Sequence, residues 1–492
     1  MFRRLVSAAA LLALLACGGK SDPYRATVPP KAAVPQQLDA ATWQAHYTLD
    51  LLPYWNMPEA KGAPIGNFPT YRSMDGSLHG PTSRKPRMLG RQVFTYSIGY
   101  LITGDESLLE LARAGNRWLL DHARDPQRGG WYADLDASGA PLGDNDKLAQ
   151  DYAYTVMGPA SVFFVTADAE SEGAVLATRD LFFDPAKYWD TANGRIKDGM
   201  NGALTAEAYM GARGSWELVA QLDPVTAFLL LVQPVLSDPA RQAQVLGDLR
   251  TLALRIHDSF WKDGIFWGST GSIGTYGSNH TDFGHILKAY WALLQIDKRL
   301  DDHPLRDFLA QKAPATLTFA YDSKNGRWGK KPFNDHLAYY GSDWWAYAES
   351  DQLAATLALH DPGWIGVVSQ TAPNFLNDYV DRSRSARELI PSTNRDGSWA
   401  YNWSANDTAK CNEWKSGFHG AEHALVMTLF GHWLEGTEAP LYFAFPADQV
   451  AALAAKARPY TFQGHVAGFE DLGPLASDPS RHKVRVRFDQ LR

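Results

Sequence analysis

Five tight-turn dipeptides punctuate this chain at nearly even intervals, and that spacing restricts the fold more than any other feature of the sequence. They are Gly129-Gly130, just ahead of Trp131, then Asn193-Gly194, Asp263-Gly264, Asn325-Gly326 and Asp396-Gly397, each flanked by aromatic or β-prone residues. Such pairs adopt the left-handed conformations that short hairpins need. From Gly130 through Gly194, Gly264, Gly326 and Gly397 the steps are 64, 70, 62 and 71 residues, about the length of one helix pair plus a hairpin.

Apolar periodicity of 3.6 residues predicts twelve helical segments, near 41–56, 86–103, 105–123, 146–166, 169–184, 217–236, 238–260, 279–298, 302–318, 341–359, 362–381 and 414–434. Each turn dipeptide follows an odd-numbered segment, and the even-numbered segments are the more apolar. Six pairs with one strongly apolar member each predict an all-α (α/α)6 barrel whose even helices form a buried inner ring. An open α-solenoid is the alternative. Residues 441–492 break the pattern, and Tyr442-Phe443-Ala444-Phe445 and Val484-Arg485-Val486-Arg487-Phe488 predict strands of a small C-terminal appendage.

The chain opens with Arg3 and Arg4 and an apolar run from Leu5 to Ala16 that is too short to span a bilayer as a mature helix. It reads as a secretory leader. Leu14-Leu15-Ala16-Cys17 resembles a bacterial lipobox, in which Cys17 would be lipidated and become the mature N-terminus. Gly18 and Gly19 follow, with no Asp directly after Cys17, which favours an outer-membrane address facing the periplasm. The expected organisation is a leader over 1–16, a lipidated Cys and Pro- and Ala-rich tether over 17–40, a barrel over 41–440 and the appendage over 441–492. The other Cys, Cys411, leaves an exported chain without a disulfide framework. The formal charge of −7 becomes −9 once Arg3 and Arg4 leave with the leader, and no Lys/Arg block appears, which argues against nucleic acid. Aromatics at 12%, many of them Trp beside Gly and Asp, suit stacking on sugar faces instead.

In a barrel of this kind the N-terminal ends of the inner helices converge at one mouth, where helix dipoles favour developing negative charge. Those ends carry Arg91, Asp151 with Tyr154, Asp223, His285, Trp344 and Trp345 with Glu349, and His419. Arg91-Gln-Val-Phe-Thr-Tyr96, the Gly129-Gly130-Trp131 hairpin with Asp151-Tyr152-Ala153-Tyr154, and Gly284-His285-Ile286-Leu287-Lys288-Ala289-Tyr290-Trp291 come in order along the chain. Trp344-Trp345-x-x-x-Glu349 and Trp414-Lys415-Ser-Gly417-Phe418-His419 follow them. In this order the motifs resemble those of the N-acylglucosamine 2-epimerase and cellobiose 2-epimerase family of sugar epimerases and isomerases, from about Arg91 to Leu425. Departures are Gln150 for a family Tyr, Asp223 for a His, Lys288 for a Glu and Glu422 for an Arg.

The resemblance implies a cofactor-free exchange at C2 of a reducing mono- or oligosaccharide through an enediolate. His285 and His419 would be its acid and base. Two imidazoles suit this chemistry because a proton must leave beside a carbonyl and return on the opposite face, and imidazole titrates near neutral pH. Arg91, Asp151, Tyr154, Asp223, Trp344, Trp345, Glu349 and Trp414 are the expected substrate contacts. Arg91 has a second reading as a buried salt bridge to Asp151, Glu349 as the orienter of a His, and Lys288 as the ion-pair partner of Asp223. His280 and His423 read as supporting or solvent groups. Two rival functions stand beside this one: a glycoside hydrolase using carboxylates among Asp223, Asp282, Asp343 and Glu349, and a non-catalytic glycan-binding lipoprotein.

Overall fold

The computed structural model describes Thr27, residues 33–400 and residues 409–492. The expected leader, Cys17 and most of the tether lie outside these residues. Twelve helices correspond to the twelve expected segments, with three of them running one or two residues past the expected bounds. They are α1 (Ala40–Ala45, continued by His46–Leu51 and Leu52–Trp55), α2 (Pro86–Thr103), α3 (Glu106–Trp118, continued by Leu119–Ala123), α4 (Ala149–Thr166), α5 (Ala169–Phe182) and α6 (Leu218–Pro224, continued by Val225–Leu229 and Leu230–Val232). The second half comprises α7 (Pro239–Phe260), α8 (Phe283–Asp297), α9 (Arg306–Ala320), α10 (Trp344–Ala358), α11 (Ile365–Asp378) and α12 (Phe418–Glu435).

Burial separates two rings. In α8 every residue except His285 is buried, whereas α7 buries a single stripe of Val245, Leu249, Leu252, Ala253, Ile256 and Phe260 at helical spacing. Along the inner ring α2 packs on α4, α4 on α6, α6 on α8, α8 on α10, α10 on α12, and α12 returns to α2. That last contact closes the barrel and excludes the open solenoid. The closest approach is between α2 and α4, where a Cβ at Gly90 would lie 2.1 Å from the carbonyl oxygen of Tyr154. Only glycine fits there, and it sets the stagger of the two helices.

All five turn dipeptides sit in hairpins or turns that carry an outer helix toward the next inner one. Between Trp261–Lys262 and Ile265–Phe266, Asp263 has φ 53° and Gly264 φ 94°, the paired positive values that a two-residue hairpin turn demands. These connections all emerge at the N-terminal ends of the inner helices and build the mouth.

Strands β1 (Ala439–Pro446), β2 (His465–Pro474) and β3 (Arg481–Asp489) form an antiparallel sheet in the order β1-β3-β2. Leu441, Phe443, Ala444 and Phe445 are buried and share one continuous core with the helices, while Pro440, Tyr442 and Pro446 are partly exposed. The sheet covers the far end of the barrel: the Tyr100 hydroxyl donates to the Phe443 carbonyl at 3.0 Å, and Lys483 Nζ donates to the Gly104 carbonyl at 3.3 Å beyond the end of α2. The barrel is therefore closed below and open above. No helix among the described residues is long and apolar enough to cross a membrane.

Candidate active site

The mouth leads into a cavity of about 470 Å³. Of the expected site residues, Arg91, Tyr154, His285, Trp344, Trp345, Trp414 and His419 line it directly. Asp151, Asp223 and Glu349 stand one layer back, each holding a residue that does.

His285 is fixed by the residue that starts its own helix. Asp282 is the N-cap of α8; its Oδ1 accepts from the His285 backbone N–H at 2.9 Å while Oδ2 meets the imidazole Nδ1 at 2.7 Å. One carboxylate thus satisfies an orphan helix donor and orients the ring. Although burial opposes its charge, the contacts with His285 hold the Asp282 carboxyl below the usual carboxylate range. With Nδ1 engaged, Nε2 is the atom left for a substrate.

His419 comes from another wall, at the second position of α12. Its Nδ1 meets Glu349 Oε1 of α10 at 3.1 Å. The ring is only 8% exposed. Burial, and then the charges of Lys288 and Arg91, push its pKa well below the ordinary value. At neutral pH it is a neutral imidazole able to take a proton. The indole of Trp345 links the two sites, with its ring centre 4.7 Å from that of His285 and 5.7 Å from that of His419.

Between these walls lies buried charge. Lys288 Nζ donates to Asp223 Oδ1 at 2.8 Å and to the Tyr154 hydroxyl at 3.2 Å, and Gln150 Nε2 donates to the other oxygen of Asp223 at 2.8 Å. Burial opposes the charge of Asp223, but Lys288, with His285 and Gln150, outweighs it and brings Asp223 down to about 2; burial likewise opposes the Lys288 charge, and Asp223, with Tyr154 and Glu349, raises Lys288 above its ordinary value. A protonated ammonium of this kind is no nucleophile, so the ion-pair reading of Lys288 holds.

The structure corrects one pairing. Asp151 accepts from Arg87 at 2.6 Å, one helical turn before Arg91, and Arg91 is not its partner. Arg91 stacks on the Tyr154 ring at 3.6 Å and donates to the Trp414 carbonyl at 3.3 Å. Its Nε is buried without a hydrogen-bond acceptor among the described residues. Burial, with Arg87 nearby, lowers its pKa to about 10, which still leaves a cation with donors facing the cavity. Trp414, half exposed, forms the rim and stacks on the Arg87 guanidinium at 4.6 Å. Lys415 points inward to Glu388 at 3.1 Å and holds the loop under Trp344.

The motif reading missed Arg87, Asn279 and Glu217. The first two line the cavity, and Glu217 holds His280 at 2.9 Å, whose ring lies 5.0 Å from His285. Arg87 was discoverable as the residue four before Arg91 on the same helix face. Glu217 carried no local signal. Among the described residues, Glu349, His419 and Glu422 are the group whose carboxylate and imidazole atoms all come within 4.8 Å of one another. Tyr460 already donates to Glu422 Oε1, and Glu349 is engaged by His419, so these atoms belong to a hydrogen-bonded network.

A sequence model of the family described as N-acylglucosamine 2-epimerase (GlcNAc 2-epimerase) matches residues 66–222. The chain is 30% identical over 170 residues to a cellobiose 2-epimerase of Bacteroides fragilis, a match covering 33% of this chain and 40% of that one. It thus spans less than half the length of that curated relative. Among solved structures, a cellobiose 2-epimerase from Spirochaeta thermophila superposes with a TM-score of 0.66 at 17% identity, covering 80% of this chain and 96% of that one. A D-mannose isomerase gives a TM-score of 0.66 at 17% identity, with 80% and 98% covered. At such identities the superpositions establish the barrel fold.

Proposed function

We propose that this chain is a member of the N-acylglucosamine 2-epimerase family, whose model matches residues 66–222, and that it is an isomerase-type enzyme, a sugar 2-epimerase or aldose–ketose isomerase acting on a reducing mono- or oligosaccharide. The observation that carries this reading is the pair of imidazoles on separate walls of one cavity, each with Nδ1 held by a carboxylate. His419, neutral at pH 7, is the group ready to receive the C2 proton on Nε2. His285 is the second proton carrier, reaching the sugar from α8. The enediolate formed on proton loss is stabilised by the Arg91 cation and by the N-terminal ends of the inner helices. Trp345 and Trp414 offer faces on which sugar rings stack.

The test is a panel of reducing sugars incubated with the protein in D2O and followed by NMR. Turnover through an enediolate places solvent deuterium on carbon as a new epimer or ketose appears. Shortened sugars without carbon-bound deuterium would overturn the reading in favour of a hydrolase. That enzyme would have to use Asp282 and Asp343, since Asp223 and Glu349 are enclosed behind Lys288 and His419. Binding without any conversion would leave a glycan-binding protein.

The lipobox-like Leu14-Leu15-Ala16-Cys17 supports placing this enzyme on the periplasmic face of the outer membrane, held by lipid on Cys17. Cys17→Ser is expected to move the protein from the membrane to the soluble fraction. Unchanged fractionation with outer membranes would refute the anchor.

A further inference from the structure

Below His419, away from the cavity, lies a buried acid network that the proposed proton transfer does not by itself require. Glu422 follows His419 by one turn of α12 and is 3% exposed. Its Oε1 accepts a hydrogen bond from Tyr460, which belongs to the segment joining β1 and β2 and lies outside the barrel helices. Tyr460 is 2% exposed, reaches up beside Phe94 of α2 with ring centres 6.4 Å apart, and has φ 61°. The left-handed region is costly for an aromatic residue and persists only where the surroundings enforce it. A side chain from the loop between two strands of the closing sheet has been brought, at the expense of backbone strain, to a carboxylate behind the proposed proton-carrying imidazole.

We propose that Glu422 keeps a proton at neutral pH so that Glu349 can serve as the carboxylate holding His419, and that Tyr460 sets the pH at which Glu422 gives that proton up. Both acids are positioning residues, and the inference rests on His419 being the proton carrier of the proposed reaction. Two carboxylates whose oxygens lie within 4.8 Å of each other in a buried site resist carrying two negative charges, so the pair holds a single shared proton. Burial, and then the charge of Glu349, push Glu422 up to about 8, and burial pushes Glu349 up to about 7. Glu349 faces the His419 Nδ1 at 3.1 Å and has the Lys288 cation as its largest charge contact, so it is the member that carries the negative charge and Glu422 the member that keeps the proton. The other charged groups facing the network are Lys288 and His285 of α8, Asp223 of α6, Arg91 of α2, and His423 of α12, itself 3.2 Å from Asp351 of α10.

The direction of each effect follows. As pH rises through the Glu422 value, a second negative charge appears beneath His419 and opposes the enediolate, so turnover falls on the alkaline side. The Tyr460 hydroxyl favours the Glu422 carboxylate by donating to it; without that donor Glu422 holds its proton to higher pH. The experiment is the pH profile of kcat for the full chain, Glu422→Gln and Tyr460→Phe, with thermal midpoints measured alongside. We expect an alkaline fall near pH 8 in the wild type, its loss in Glu422→Gln, and its displacement upward by about one pH unit in Tyr460→Phe with KM little changed. An identical alkaline limb in all three proteins would overturn the proposal, as would a Tyr460→Phe profile lowered by the same factor at every pH. NMR titration of the His419 imidazole reads the same network without substrate: an inflection near pH 8 that Glu422→Gln removes supports it even if no sugar is converted, a result that would sink the sugar reading alone.

Discussion

His419→Asn is expected to lower turnover by on the order of 10²-fold or more while leaving the thermal midpoint close to that of the wild type, and His285→Asn is expected to do the same independently. Asparagine approximates the inner half of the imidazole. At position 419 its amide N–H can still donate to Glu349, and at 285 the backbone bond to Asp282 Oδ1 survives. What disappears is the outer nitrogen that would carry the proton to or from the sugar. A packing role predicts the reverse, because His419 lies against Phe418 with ring centres 4.2 Å apart and its loss would then appear as a lower midpoint at near-normal turnover. That pattern in either variant would end the two-histidine mechanism. The variants also separate the two roles. Burial, Lys288 and Arg91 keep His419 neutral at pH 7, so in the proposed mechanism it starts as base. A residual exchange of deuterium into unconverted sugar should therefore survive better in His285→Asn than in His419→Asn.

The barrel was legible in the sequence because two independent periodicities agreed. Helical apolar spacing located twelve segments, and Asp263-Gly264 and its counterparts marked where an outer helix turns back to an inner one. The histidines were legible because the ends of inner helices must converge once the ring closes. Side-chain partners were another matter. Arg87 and Arg91 share one face of α2, and which of them reaches Asp151 depends on how far α2 slides along α4. That stagger is fixed by the contact at Gly90, where the chain allows no Cβ, and no one-dimensional pattern contains it. Tyr460 is harder still. It lies 38 residues beyond Glu422, in a loop whose sequence carries no periodicity, and it enters the site only because β1 to β3 pack under α2 and α4. Lys288 and Asp223 could be paired from sequence because each departs from the family pattern on adjacent inner helices with complementary charge.

That pair carries the largest expected effect on stability. Asp223 is fully buried and Lys288 nearly so, and removing one partner of a buried ion pair typically costs about 3–5 kcal/mol because the other charge is left without compensation. Asp223→Asn keeps the shape of the side chain and its bond to Gln150 but not its charge. The stranded Lys288 can then escape by losing its proton, and that escape limits the penalty. At pH 7 deprotonating a lysine costs roughly 4.6 kcal/mol, and at pH 9 only about 1.9 kcal/mol. The destabilisation of Asp223→Asn, measured from denaturant midpoints, is therefore expected to shrink as pH rises from 7 to 9. The wild type should show no such trend from this pair. Asp223 sits at about 2, below its unfolded value, so its contribution is present above the ordinary carboxylate range and is lost only as pH falls toward 2. Lys288 is raised above its unfolded value, so its contribution is fully present below about 10.4 and is lost only at still higher pH. Lys288→Met in the Asp223→Leu background should recover much of the loss, since a matched apolar pair strands no charge. If Asp223→Asn costs the same at pH 7 and pH 9, or the double variant is no more stable than either single one, the ammonium of Lys288 is not held by Asp223 as the geometry requires.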